Sequence, residues 1–195
     1  MKKILLICFA VFVIFQVKSQ NVTDRIGIEG PIEFNGTEFF LSWSKQNSKL
    51  LYLQQFLPKD ERIEEFNQLL NFSYLNKDIE IEEAVRQKVS QIQKLQEKMK
   101  NTIINVTESP DGKEFIIDYS LIETPEKGNA YLEYNINRFK KTGADNKALL
   151  VLAYSKRIYG DSKSAAKIIS KERNNLMAAM IQYQIPAITL QPETK

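Results

Sequence analysis

Ile32-Glu33-Phe34-Asn35-Gly36-Thr37-Glu38-Phe39-Phe40-Leu41-Ser42-Trp43-Ser44 reads as a β-hairpin. Asn-Gly is the strongest short turn signal, because both residues tolerate the positive φ of a two-residue turn. In the second strand the alternation puts Phe39, Leu41 and Trp43 on one face, with Phe40, Ser42 and Ser44 on the other. A polar Gln46-Asn47-Ser48 turn leads to a third strand, Leu50 to Leu57, ended by Pro58. Connections this short pair strands antiparallel.

Downstream, Asp60 is positioned to cap a helix over Glu61 to Leu70, with Ile63, Phe66 and Leu69/Leu70 on one face. Asp78 opens a longer helix, with Ile81, Val85, Val89, Ile92, Leu95 and Met99 at helical spacing. Period two then returns. Thr102 to Glu108, a Ser109-Pro110-Asp111-Gly112 turn and Glu114 to Glu123 form a second hairpin. Ala130 to Lys140, a loop at residues 142–146 and Ala148 to Tyr159 form a third. Gly160-Asp161-Ser162 introduces a long helix to about Tyr183, with Pro186 beyond it. The expected order is β-β-β-α-α-β-β-β-β-α. That predicts an α+β fold: one curved antiparallel sheet with helices packed on it, the last across its concave face. The element order resembles helix-grip and PsbP-like folds.

Working back from the hairpin, residues 20–30 are polar and punctuated by Gly, which predicts a flexible N-terminal arm. The first nineteen residues have the layout of a cleavable signal peptide. Lys2 and Lys3 precede twelve apolar residues, Ile4 to Phe15, and Val17-Lys18-Ser19 offers a cleavage site before Gln20. Twelve apolar residues are short of the roughly 20 a spanning helix needs. Cys8 lies in mid-run behind Ile7, the wrong place for lipidation. The expected organisation is a leader at 1–19, an arm at 20–30, one α+β domain at 31–188 and a polar tail at 189–195.

Cleavage changes the composition. Lys2, Lys3 and Lys18 leave with the leader, so the 27 basic residues fall to the number of acidic ones, 24. The mature chain is then formally neutral, which predicts no nucleic-acid partner and no attraction to an anionic membrane. It also lacks Cys and His. Disulfides, thiol nucleophiles, Cys/His zinc sites and His-based triads are therefore excluded within it. A chain without disulfides must rest on its core, and about 176 residues suffice for one. Absence of Cys favours a bacterial envelope over an animal extracellular setting. Asn-x-Ser/Thr triplets at Asn21, Asn35, Asn71 and Asn105 arise readily by chance in an Asn-rich chain.

Several short motifs suggest chemistry. Ser42-x-x-Lys45, Tyr74-x-Asn76 and Lys141-Thr142-Gly143 follow the chain order of penicillin-binding proteins, and Ser164-x-x-Lys167 supplies a second Ser-Lys pair. That chemistry needs Ser at a helix N-terminus with Lys one turn on. Ser42 and Lys45 lie in a strand, where i and i+3 point apart, and Ser164 comes after Lys141. Asp118, Glu123 and Glu133 sit on expected strands and are the candidates for carboxylate catalysis. Strand carboxylates are more often the solvated half of an alternating strand. Asp111-Gly112 is a turn, with no calcium-loop spacing around it. No cofactor and no metal is expected.

Gln54-Gln55-Phe56-Leu57-Pro58-Lys59-Asp60-Glu61, followed by Phe66 and Leu69-Leu70, resembles a strand-Pro-x-x-Glu-helix segment of small uncharacterised exported bacterial proteins. The resemblance implies an exported α+β domain and carries no activity. The expectation for function is a non-catalytic binding or adaptor domain of the cell envelope. Its partner would be a small apolar ligand or an envelope protein, and no integral membrane segment would remain after cleavage. Trp43, Tyr52, Tyr119, Tyr131 and Tyr134 are the candidates for lining an amphipathic pocket under the last helix. The rival expectation is a small hydrolase or lyase using Asp, Glu, Lys or Tyr.

Overall fold

The structure is a computed structural model that describes residues 22–96, 103–125 and 128–191. The leader at 1–19, Met99, Thr102 and the end of the tail lie outside the described residues. Eight strands, β1 (Ile32–Phe34), β2 (Thr37–Gln46), β3 (Leu51–Pro58), β4 (Gln68–Leu75), β5 (Ile104–Glu108), β6 (Glu114–Glu123), β7 (Tyr131–Thr142) and β8 (Ala148–Tyr159), form one open sheet. Their order is β1-β2-β3-β4-β8-β7-β6-β5, and every neighbouring pair is antiparallel. Two helices accompany it, α1 (Ile81–Gln96) and α2 (Ser162–Gln182). The fold class is the α+β architecture expected, and Asn35 and Gly36 both take positive φ in the first turn.

The expected helix at 61–70 is instead a loop followed by β4. Leu69, Leu70, Phe72, Ser73, Tyr74 and Leu75 are all buried, the mark of a strand covered on both faces. That burial outweighs the helical spacing of Ile63, Phe66 and Leu69. Glu61 serves the loop rather than a helix: its carboxylate accepts from the backbone N–H groups of Asn67 and Gln68 at 2.7 and 3.1 Å. Asp60 has φ 69, which is incompatible with an N-cap. The loop folds back so that Phe66 and Leu69 pack on Leu57.

A second difference lies in β2. A β-bulge between Leu41 and Trp43 shifts the register, so Leu41 opposes Phe56 but Trp43 opposes Gln55. One inserted residue reverses the phase of the alternation. Trp43 therefore leaves the face that Phe39 and Leu41 share.

The helices occupy opposite faces of the sheet. α2 buries Ala165, Ile169, Leu176 and Met180 in a core with Phe56, Phe72, Ile136 and Leu152. α1 buries Ile81, Ala84, Val85 and Ile92 against Ile117, Phe139, Leu149 and Val151. Side chains alternate along each strand, so every strand residue belongs to an α1 face or an α2 face.

The segment expected as a loose arm carries Ile26 and Ile28, both buried in the α2-side core. Wholly buried Gln54 explains the docking. Its side-chain carbonyl accepts from the N–H groups of Arg25 and Ile26, and its amide donates to the Ile28 carbonyl. The C-terminal segment closes over the same stretch, with Thr189 N–H donating to the Ile26 carbonyl and Gln191 N–H to that of Arg25.

Candidate functional site

Charged groups on the α2 face are committed to holding that helix. Asp161 caps it, accepting from the Ser164 N–H at 2.8 Å. At mid-length Arg173 donates from Nε and Nη2 to the two oxygens of Asp118, each at 2.8 Å. Tyr134 and Asn105 donate to the same carboxylate at 3.2 Å. Lys156 pairs with Glu172. At the far end Arg138 Nη1 reaches the carbonyls of Met180 and Tyr183 at 2.8 Å, while its Nε donates to Glu114. A cation over the last carbonyls satisfies orphan acceptors and opposes the helix dipole. Burial, with the charge of Asp118 adding to it, pushes the Tyr134 hydroxyl well above its usual value. These groups form a clamp.

The α1 face has a different character. Trp43, Gln55, Asn71, Ala153 and Asn137 oppose one another in register across β2, β3, β4, β8 and β7. The next ladder toward the far end runs Leu69, Ser155, Asn135 and Tyr119. The middle of the sheet is therefore lined with small neutral amides and hydroxyls. Helix α1 packs beyond them over β6 and β7, and the loop of Phe66 packs at Leu57 and Leu69. Ser155 donates to Asn135 at 2.6 Å, Asn135 to Glu133 at 3.0 Å and Asn71 to Ser73 at 3.0 Å. Asn137 is 5% exposed, and its side-chain amide turns toward the Tyr119 hydroxyl as a hydrogen-bond donor.

An ionic border runs along one end of this tract. Arg157 donates to Glu133 at 2.8 Å, and its guanidinium lies 3.8 Å from the Phe66 ring centre and 4.4 Å from that of Tyr131. Glu123 opposes Tyr131 while Glu133 opposes Leu121, which makes the two acids diagonal neighbours on one face. Burial first, and the Glu133 charge second, hold the Glu123 carboxyl above the usual range. Lys88 on α1 sits 5.7 Å above the Tyr119 ring; burial pushes its ammonium down while Glu133 opposes the shift. Burial likewise raises the Tyr119 hydroxyl.

The five aromatic residues singled out in the sequence do not share a face. Tyr52 and Tyr134 belong to the α2 side; Trp43, Tyr119 and Tyr131 belong to the α1 side. Of the three carboxylates, Asp118 is in the α2 clamp, whereas Glu123 and Glu133 meet. The serine-lysine motifs are not assembled. Ser42 donates to the Phe40 carbonyl, Lys141 is bound to Asp78 and the Ile79 carbonyl, and Ser164 lies at the start of α2. The amide tract itself was missed. Asn71, Asn137 and Ser155 fall on separate strands, and only the strand order unites them.

Among the described residues no helix is long and apolar enough to cross a membrane. No curated protein and no solved structure matches the chain. Residues 26–185, the whole sheet and both helices, match the profile of a protein family, and the chain belongs to that uncharacterised family.

Proposed function

We propose that the chain is an exported, non-catalytic binding or adaptor domain of the bacterial cell envelope, and that it binds through the α1 face of its sheet. The observation that carries this reading is the ladder of Trp43, Gln55, Asn71, Ala153 and Asn137. Helix α1 packs over β6 and β7, so the half-buried row of Trp43, Gln55, Asn71 and Ala153 is the part of this face available to a ligand. The acids and bases around it support binding over catalysis, because Glu133 is already closed against Arg157. Export rests on the leader at 1–19.

Two measurements test this. The intact mass of protein from an envelope fraction is expected to begin at Gln20; a full-length species held at the membrane would overturn export. Emission of Trp43 is expected to change saturably when the mature protein meets a solubilised envelope extract. An unchanged spectrum would remove the α1 face from consideration.

A small hydrolase is the second reading, favoured by one observation. Glu123 is held toward its protonated form beside an ion-paired Glu133, and such a split is how paired carboxylates divide acid and base roles. Turnover of chromogenic glycosides or esters, lost in both Glu123→Gln and Glu133→Gln, would favour it.

A further inference from the structure

We infer that residues 184–191 form a lid, hinged at Gln184, that swings off the N-terminal arm while the rest of the domain stays folded. The lid lies on the α2 face, so the inference does not depend on the α1 reading above. The arm and this segment pack on the same core, yet they are fastened differently. The arm buries Ile26 and Ile28, and Gln54 ties three of its backbone groups. Residues 184–191 carry no charged side chain, and their inward residues Ile185, Ile188 and Leu190 are only half-buried. Two backbone hydrogen bonds hold the segment down, from Thr189 N–H to the Ile26 carbonyl and from Gln191 N–H to that of Arg25. Among the described residues its one side-chain hydrogen bond is local, from Gln184 Nε2 to the Gln182 carbonyl. Ordering a segment of this length costs entropy that so few contacts barely offset, which places it at the low-stability end of the fold.

The hinge is marked on both sides. Up to Tyr183 the chain is pinned: Arg138 Nη1 holds the Met180 and Tyr183 carbonyls at 2.8 Å, and the Tyr183 ring meets that of Phe34 at 5.7 Å. Beyond the hinge, Pro186 keeps Ile185 extended, which leaves exposed Gln184 to absorb the rotation. The landing place is shaped for the closed lid. Gly27 has φ 73, and a Cβ there would lie 3.0 Å from the Thr189 carbonyl oxygen. The arm thus presents bare backbone where the lid comes down. Beside it runs an open cleft with Ile28, Pro31 and Ile32 on one side and Tyr183, Pro186 and Thr189 on the other. The lid is one wall of that cleft, so its swing sets the cleft's width.

Native-state hydrogen exchange on the mature protein tests the hinge. The amides of Thr189 and Gln191 are expected to share one protection factor, at least ~100-fold below those of Ile169 and Leu176 in α2. Gly27→Ala should expel the lid, abolishing protection at Thr189 and Gln191 while Ile169 and Leu176 keep a clear excess. Gly36→Ala is the control, with the same φ of 73 and nothing within 4 Å of its added Cβ; it should leave the lid closed. Protection that declines steadily from Thr189 to Gln191 would mean fraying from the end and overturn the hinge. Exchange of both amides together with Ile169 and Leu176, in the parent or in Gly27→Ala, would make the segment part of one cooperative unit and overturn the lid. Unchanged protection in Gly27→Ala, or equal loss in Gly36→Ala, would overturn the landing contact.

Discussion

Arg173 meets Asp118 edge-on, each of two guanidinium nitrogens at 2.8 Å from its own carboxylate oxygen, yet the partners are unequally placed. The Asp118 side chain is 2% exposed and that of Arg173 36%. Removing the arginine leaves a carboxylate inside the protein with only Tyr134 and Asn105 as donors. Removing the acid leaves a guanidinium that water still reaches. Arg173→Ala is therefore expected to cost about 3 kcal/mol and Asp118→Asn nearer ~1 kcal/mol. Urea unfolding of both variants measures this, and equal losses would mean the pair behaves as an exposed one.

Ile169→Pro should unfold the domain. Ile169 is buried against the sheet at an interior turn of α2, so the change removes a helical hydrogen bond and a core contact together. The expected loss is at least ~3 kcal/mol. A variant that melts at the parent temperature would make α2 dispensable.

What the sequence revealed followed the strength of its local signals. Asn35-Gly36 and Ser109-Pro110-Asp111-Gly112 announced their hairpins, and α2 was legible from Asp161 to the approach of Pro186. β4 was hidden because Asp60-Glu61 imitates a helix start and Ile63, Phe66 and Leu69 repeat at helical spacing. The signal that would have found it is the run from Leu69 to Leu75, too apolar for an exposed helix and long enough for a strand in the middle of a sheet. The bulge at Ser42 has no composition of its own, so the side to which Trp43 turns was not legible. Nor does any local pattern say that α1 and α2 lie on opposite faces.

Acid should loosen the clamp through Glu114. Burial tends to raise its carboxyl, but hydrogen bonds and charge from Arg138 and Lys140 outweigh that and hold it below the usual 4.5. A lowered carboxylate contributes stability above its unfolded value, and the contribution fades as pH falls through the folded one. The urea midpoint of Glu114→Gln should therefore lie below that of the parent near neutrality. The gap should close between about pH 5 and pH 2. A gap that persists at low pH would show that the carboxylate's charge is not what matters.

Labelled penicillin should leave the mature protein unmodified. Acyl transfer needs a serine hydroxyl in contact with a lysine amine, and Ser42 spends its hydroxyl on the Phe40 carbonyl while Lys141 is held by Asp78. Mass spectrometry decides the matter. A stoichiometric adduct on Ser42 or Ser164 would place an active site where the geometry offers none.

The pairing of β4 with β8 has a consequence for how the chain is made. Leu75 faces Leu149 and Gln68 faces Lys156, partners that leave the ribosome roughly eighty residues apart. Until Ala148–Tyr159 emerges, the first half of the sheet ends in an open and strongly apolar strand. Order of synthesis thus runs against order of burial, and the segment with the deepest final position waits longest for cover. Translation slowed between residues 76 and 147 would lengthen the time in which that edge meets a second nascent copy, and aggregation should rise with the delay.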